Sequence, residues 1–213
     1  MFNKMKIAYA VLAGIIALVG IGLQFYVSVP AYLSQGHSVL WSVVELLSYF
    51  TILTNLLVTV TYLSLLIPNT SAGKFFARVE LITGIAVYIT IVGFIYELVL
   101  RKLWHPEGLL KTADTILHNV TPILFVAFWL IFVPKQNLKW KLAFNWLLYP
   151  FVYLIYIIIR GEIMNRYPYG FIDINIIGYQ QAAINSLLVL LAFVSFGLMF
   201  ISVSRLFSKP TDS

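Results

Sequence analysis

His118 stands four residues after Asp114 in a stretch that is apolar on both sides, from Thr115 to Leu117 and from Val120 to Val133. Residues four apart share one helix face, so this carboxylate can meet the imidazole, orient it and support its protonated form. A ring held that way takes a proton from a weak acid and returns it to a leaving group. The same ring can also relay protons or simply cross-link helices. Hydroxyls are abundant upstream, with Thr51 and Thr54 three residues apart and Asn55 beside them. By themselves these threonines carry no role, because Ser and Thr in apolar helices usually bond the carbonyl one turn back. Asn55 and Asn119 carry amide hydrogens of the kind that stabilise a developing oxyanion. Arg160 could pair with a carboxylate.

The chain around these residues is 61% hydrophobic and only 10% charged, against about half and a quarter in ordinary soluble domains. It reads as an integral membrane protein. Six apolar segments, at about 7–29, 42–67, 79–100, 113–133, 142–159 and 182–207, each approach the length of helix that crosses about 30 Å of hydrocarbon. The fold class expected is all-α, a six-helix membrane bundle forming one transmembrane domain over 1–213. The first segment follows Lys4 and Lys6, but its apolar run exceeds the usual signal-peptide core of about 7 to 15 residues, so it reads as a retained span. Turn and breaker residues separate the segments: Pro30, Gly36, 68–73, 106–108, 134–137 and 161–178.

Alternating sides put Lys4, Lys6, Lys74, Arg78, Lys135, Lys139, Lys141, Arg205 and Lys209 with the termini, and Arg101, Lys102, Lys111, Arg160 and Arg166 opposite. The excess of basic residues predicts both termini on the cytoplasmic side of the plasma membrane. The net charge of +6 therefore reads as headgroup attraction and not as nucleic-acid binding. Trp41, Trp104, Trp140 and Trp146 fall near the expected interfaces, and Ala10, Ala13, Gly14 and Ala17 give the first helix a small face for close packing.

Polar stripes run along four of the segments. Glu45, Ser48, Asn55, Thr59 and Tyr62 mark the second, with Thr51 and Thr54 flanking that face, and Glu80, Thr83, Thr90, Glu97 and Arg101 mark the third. The fourth carries Asp114, His118, Thr121 and Pro122, and the fifth Asn145, Tyr149, Tyr153, Tyr156 and Arg160. In lipid such faces turn toward one another, which predicts a partly polar cavity in the outer half of the bundle. There Glu45 and Glu97 can pair with Arg101 or Arg160. Pro122 removes a donor from the carbonyl of His118 and can kink the helix beside it. The segment from Arg160 to Tyr179 is too aromatic for a floppy loop and is expected to lie against the outer mouth, as a lid.

With no cysteine, the chain has no thiolate nucleophile, disulfide or Cys-type metal site. Two of its three histidines, His37 and His105, fall in loops, so neither a zinc helix motif nor a bis-histidine haem site can be assembled. No cofactor or metal is expected.

The segments 48–56 (SYFTILTNL), 118–122 (HNVTP), 146–150 (WLLYP), Arg160-Gly161, 167–173 (YPYGFID) and Gly178-Tyr179 together resemble a bacterial six-span membrane family, Pr-six-Pr. That family is similar to the animal androgen-induced proteins and the androgen-dependent TFPI-regulating protein. Animal members hydrolyse fatty acid esters of hydroxy fatty acids with an intramembrane Thr and His. The resemblance implies Thr51 as nucleophile and His118 as base, with Thr54 as a second register for the hydroxyl. It implies a lipid-like ester entering from the membrane, with membrane lipids as the surroundings. Around that pair the spacing adds Asp114 to orient the ring, Asn55 or Asn119 as oxyanion donors, and Arg160 for a lipid carboxylate. A binding or transport path for a small amphiphile, with His118 as ligand or proton carrier, uses the same polar stripes, and a scaffold needs no reaction at all.

Overall fold

The computed structural model describes residues 2–208, and among them every regular element is helical. The chain forms two compact units, Met1–Pro134 and Lys135–Ser213. The first holds α1 (Phe2–Ser34), α2 (Val39–Leu47), α3 (Phe50–Leu65), the short α4 (Ser71–Phe76), α5 (Val79–Leu98), α6 (Gly108–Thr115) and α7 (Thr121–Phe132). A single π-helical turn, Ile116–Val120, joins α6 to α7 without a loop. The second holds α8 (Leu142–Asn145), α9 (Leu148–Met164) and α10 (Ile174–Leu206).

Five continuous stretches are long and apolar enough to cross a membrane: Asn3–Ser34, Val79–Lys102, Gly108–Phe132, Leu142–Met164 and Ile174–Leu206. They overrun the apolar segments at most of their ends, since a backbone in hydrocarbon must stay hydrogen-bonded to itself until water is reached. The second segment differs from expectation. In place of one helix over 42–67, α2 and α3 meet at a bend of 80°. The reason is local: the Ser48 and Tyr49 N–H groups bond three residues back, to Glu45 and Leu46, which tightens the last turn of α2. Tyr49 is then extended, with φ −84° and ψ 126°, and its carbonyl accepts from Leu53 N–H to start α3 afresh.

Within the first unit α1 packs against α3 and α6, and α5 packs against α3 and α7. Ile85, Ala86, Val87 and Ile89 of α5 are wholly enclosed, whereas Leu12, Leu18, Ile123 and Leu130 are exposed on the surfaces of α1 and α7, as lipid-facing residues are. Apolar side chains gain little by leaving lipid, so close approach must come from small residues. Ala10, Ala13 and Ala17 are buried, and a Cβ on Gly14 would stand 3.2 Å from that of Tyr62. Gly20 makes the tightest contact on α1: a Cβ there would lie 2.5 Å from Ile116 Cγ2, in the π turn itself.

Several stripe hydroxyls are spent on their own helices. Ser48, Thr59, Thr83 and Thr90 each donate to the carbonyl four residues back. Thr83 also accepts from Trp129 Nε1–H at 2.9 Å, tying α5 to α7.

In the second unit α9 ends on Asn165 in the left-handed conformation, with φ 49°. Asp173 caps α10 by accepting from Asn175 N–H. A Cβ on Gly161 would collide with the Tyr167 ring, so only glycine fits beneath it. Asn185 donates to Phe171 O at 2.7 Å and Tyr179 donates to Glu162 at 2.8 Å, so the segment from Arg160 to Tyr179 is tied down within its own unit. Burial, helped by Glu162, pushes the Tyr167 phenol up and keeps it neutral. Gly178, at φ 73° and ψ 162°, kinks α10 near its start. Toward the other end Ser204 and Arg205 hold the chain at Gln136 and Leu138, and the Arg205 guanidinium lies over Trp140. Lys209, counted among the basic residues beside the termini, lies outside the described residues.

Candidate active site

The site begins with an irregularity in the backbone. Pro122 has no N–H, so the α-helical bond it would make to His118 O is missing. The Thr121 N–H bonds Ile116 O, five residues back, which is the π turn. Leu117 O is thereby deprived of both helical donors that could reach it, the one diverted and the other absent. Asn55 supplies the replacement across the helix interface: its Nδ2 donates to Leu117 O at 3.2 Å and to Thr51 O at 2.9 Å. The His118 carbonyl faces α5 at Gly93, where a Cβ would stand 3.0 Å from it. An added residue in one turn offsets the face of a helix by about 100°. His118 therefore takes a direction that an uninterrupted α-helix would not give it.

In that direction lies α3. Thr51 Oγ1 is 3.3 Å from His118 Nε2. On the other side of the ring Nδ1 meets two acceptors of Asp114, the backbone carbonyl at 3.0 Å and Oδ1 at 3.1 Å. Two acceptors at Nδ1 assign the ring hydrogen to that nitrogen, which leaves Nε2 with a lone pair toward the Thr51 hydroxyl. Thr51, His118 and Asp114 thus form a continuous hydroxyl, imidazole and carboxylate chain. Thr51 occupies the first turn of α3, where the positive end of the helix dipole favours developing negative charge. The 80° bend that breaks the second apolar segment is what puts it there.

Two residues on α5 complete the surroundings. The Tyr96 ring stacks on His118 with centroids 4.2 Å apart and planes 15° from parallel, and its hydroxyl donates to Asp114 Oδ2. Glu97 accepts from Asn119 Nδ2 and pairs with Arg101 one turn on. Tyr96 was not legible as a site residue from sequence. It flanks the polar stripe of its helix, and an aromatic near a span end reads equally well as an interface anchor. Nothing in the spacing signals its partner, eighteen residues away on another helix.

The other expected residues separate by place. Thr54 is fully buried on α3 one turn beyond Thr51, and the hydroxyl that meets the His118 ring is that of Thr51. Asn55 has both amide hydrogens committed to backbone carbonyls, so it joins two helices and is not a donor to an oxyanion. Its Oδ1 is buried with no hydrogen-bond partner, as is Thr121 Oγ1 on the π-turn side. Asn119 keeps a second amide hydrogen beyond the one given to Glu97. Glu45 is fully enclosed on α2. Arg160 belongs to the second unit, buried on α9, where it donates to Arg166 O at 3.4 Å.

The site is nearly closed, with the His118 side chain 14% exposed and that of Asp114 6%. Among the described residues no group of three or more His, Asp or Glu side chains could hold a metal ion. Comparison with models of known protein families, with curated proteins and with solved structures finds no match to this chain.

Proposed function

We propose that this protein is a six-span membrane protein of the plasma membrane with both termini cytoplasmic, and that it hydrolyses carboxylic esters of lipids with Thr51 as nucleophile and His118 as base. The observation that supports this most is the approach of Thr51 Oγ1 to His118 Nε2 with Asp114 behind the ring. The resemblance to hydrolases of fatty acid esters of hydroxy fatty acids supplies the substrate class, an acyl ester that arrives from the bilayer.

The chemistry runs in two halves. Thr51 Oγ forms a bond to the acyl carbon while its proton passes to Nε2, and the Asp114 carboxylate stabilises the imidazolium that results. The ester C–O bond then breaks and Nε2 returns the proton to the leaving alcohol, which leaves an acyl-Thr51 ester. A water gives its proton to Nε2 and attacks the acyl carbon. The bond to Oγ breaks, the carboxylic acid departs and Thr51 regains its hydrogen. A separation of 3.3 Å is normal before substrate binds, because such contacts tighten in the reacting complex.

The test is labelling of the purified protein in detergent with a fluorophosphonate, together with turnover of a panel of acyl esters. Thr51→Ala and His118→Ala should each lose about 10²-fold or more in rate while folding is unchanged. Thr54→Ala should keep its activity. Inactivity of Thr54→Ala with an active Thr51→Ala moves the nucleophile by one turn and sinks the assignment. No labelling of the wild type, accompanied by proton-coupled uptake of an amphiphile in liposomes, replaces the hydrolase by a transporter.

A further inference from the structure

Resting on that reading, we infer that Tyr96 is a positioning residue of the site, setting both the plane of the His118 ring and the rotation of the Asp114 carboxylate. Three observations meet at this side chain. Its ring lies flat on the imidazole, at 4.2 Å and 15°. Its hydroxyl donates to Asp114 Oδ2, and the other oxygen of the same carboxylate faces His118 Nδ1 at 3.1 Å. The side chain is itself 6% exposed, so packing fixes it against α6 and the π turn.

The need for such a residue follows from the backbone. In a regular helix the turn before a side chain restricts its rotamers, but the π turn and Pro122 loosen the frame on which His118 stands. A carboxylate with one oxygen on the ring and the other unheld also has a free torsion about its last bond. Tyr96 removes both freedoms at once, from a different helix. The ring cannot tilt without leaving the tyrosine face, and Oδ1 cannot rotate away from Nδ1 without Oδ2 losing its donor. The hydrogen therefore stays on Nδ1, and Nε2 stays aimed at Thr51. Tyr96 touches neither the ester nor Thr51 in this arrangement; it acts through His118 and Asp114.

The two freedoms can be released separately in the full-length protein. Tyr96→Phe keeps the stacked ring and removes the hydroxyl, and Tyr96→Leu removes both. With p-nitrophenyl butyrate as substrate, kcat should fall about tenfold in Tyr96→Phe, the worth of one hydrogen bond to a charged group, with KM unchanged. It should fall further in Tyr96→Leu. The second readout does not depend on turnover: the downfield Nδ1 proton of His118, seen by NMR of the ¹⁵N-histidine-labelled protein in micelles, should shift upfield or broaden in Tyr96→Phe. Should Tyr96→Leu fail to fold, Tyr96→Phe decides alone. An unchanged kcat and an unchanged Nδ1 proton in Tyr96→Phe overturn the inference. A wild type with no turnover whose Nδ1 proton still responds to Tyr96→Phe leaves the positioning role standing and sinks the hydrolase.

Discussion

At the scale of single residues, Asn55 has the most to teach, because its chemistry permits two roles and its hydrogen bonds choose one. An amide beside a candidate nucleophile is a natural oxyanion donor, yet here both hydrogens are taken by carbonyls, one on each of the helices that carry Thr51 and Leu117. The carbonyl on the second helix needs a donor because Pro122 has none to give it. Asn55→Ala should therefore lower stability by about 2 kcal/mol, since two buried carbonyls lose a partner. Asn55→Asp should be worse, because an ionised carboxylate brings only acceptors to face them. Thermal unfolding of the two variants in one detergent checks the order, and a stable Asn55→Asp would show that these bonds do not hold the helices. His118, Asp114 and Thr51 could be singled out from spacing and resemblance, but Tyr96 could not. An i, i+4 relation is written in one helix, while a stacking partner on another helix depends on how two faces rotate toward each other. No residue in either segment records that rotation.

At the scale of elements, the same limit explains which helices were legible. Hydropathy marks where a chain leaves water, so the apolar segments were found, and the small face of α1 was found with them. It does not mark an 80° bend inside an apolar run. The break between α2 and α3 rests on three-residue hydrogen bonds at Ser48 and Tyr49, in a stretch with neither Pro nor Gly to announce it. The π turn is the reverse case, since Pro122 does announce a local disturbance but not its form. That turn is the second element on which the site depends. Pro122→Ala restores an N–H to the helix and lets 116–120 return to α geometry, which rotates His118 away from Thr51. The variant should unfold at the same or a higher temperature than wild type, because an interior proline costs a helix about 3 kcal/mol. Its fluorophosphonate labelling should nevertheless fall by about 10²-fold, as misplacement of a reacting group does. Strain kept at a site in exchange for geometry has this signature of opposite signs. Full labelling in Pro122→Ala would show that the π turn does not aim the ring.

At the scale of the whole molecule, the bent pair decides the topology. If α2 and α3 together cross the bilayer as one broken span, the loops alternate in side along the chain and both termini share the cytoplasm. If the pair dips in and returns as a re-entrant hairpin, every loop after it changes side. The chain has no cysteine, so single cysteines report on this without background. Gln35, Asn69, Glu107 and Asn137 lie between successive spans and are exposed. As single Cys variants in intact cells, Gln35→Cys and Glu107→Cys should react with a membrane-impermeant maleimide. Asn69→Cys and Asn137→Cys should react only after the cells are permeabilised. Labelling of both Gln35→Cys and Asn69→Cys from outside would make α2 and α3 re-entrant and reverse the orientation of every later span. Thr51 tolerates either outcome locally, since it lies just past the bend in both. The direction of substrate entry does not: with a crossing pair the proposed ester would reach Thr51 and His118 from the outer leaflet, where basic residues are scarcer and an uncharged ester approaches without competition from attracted anionic headgroups.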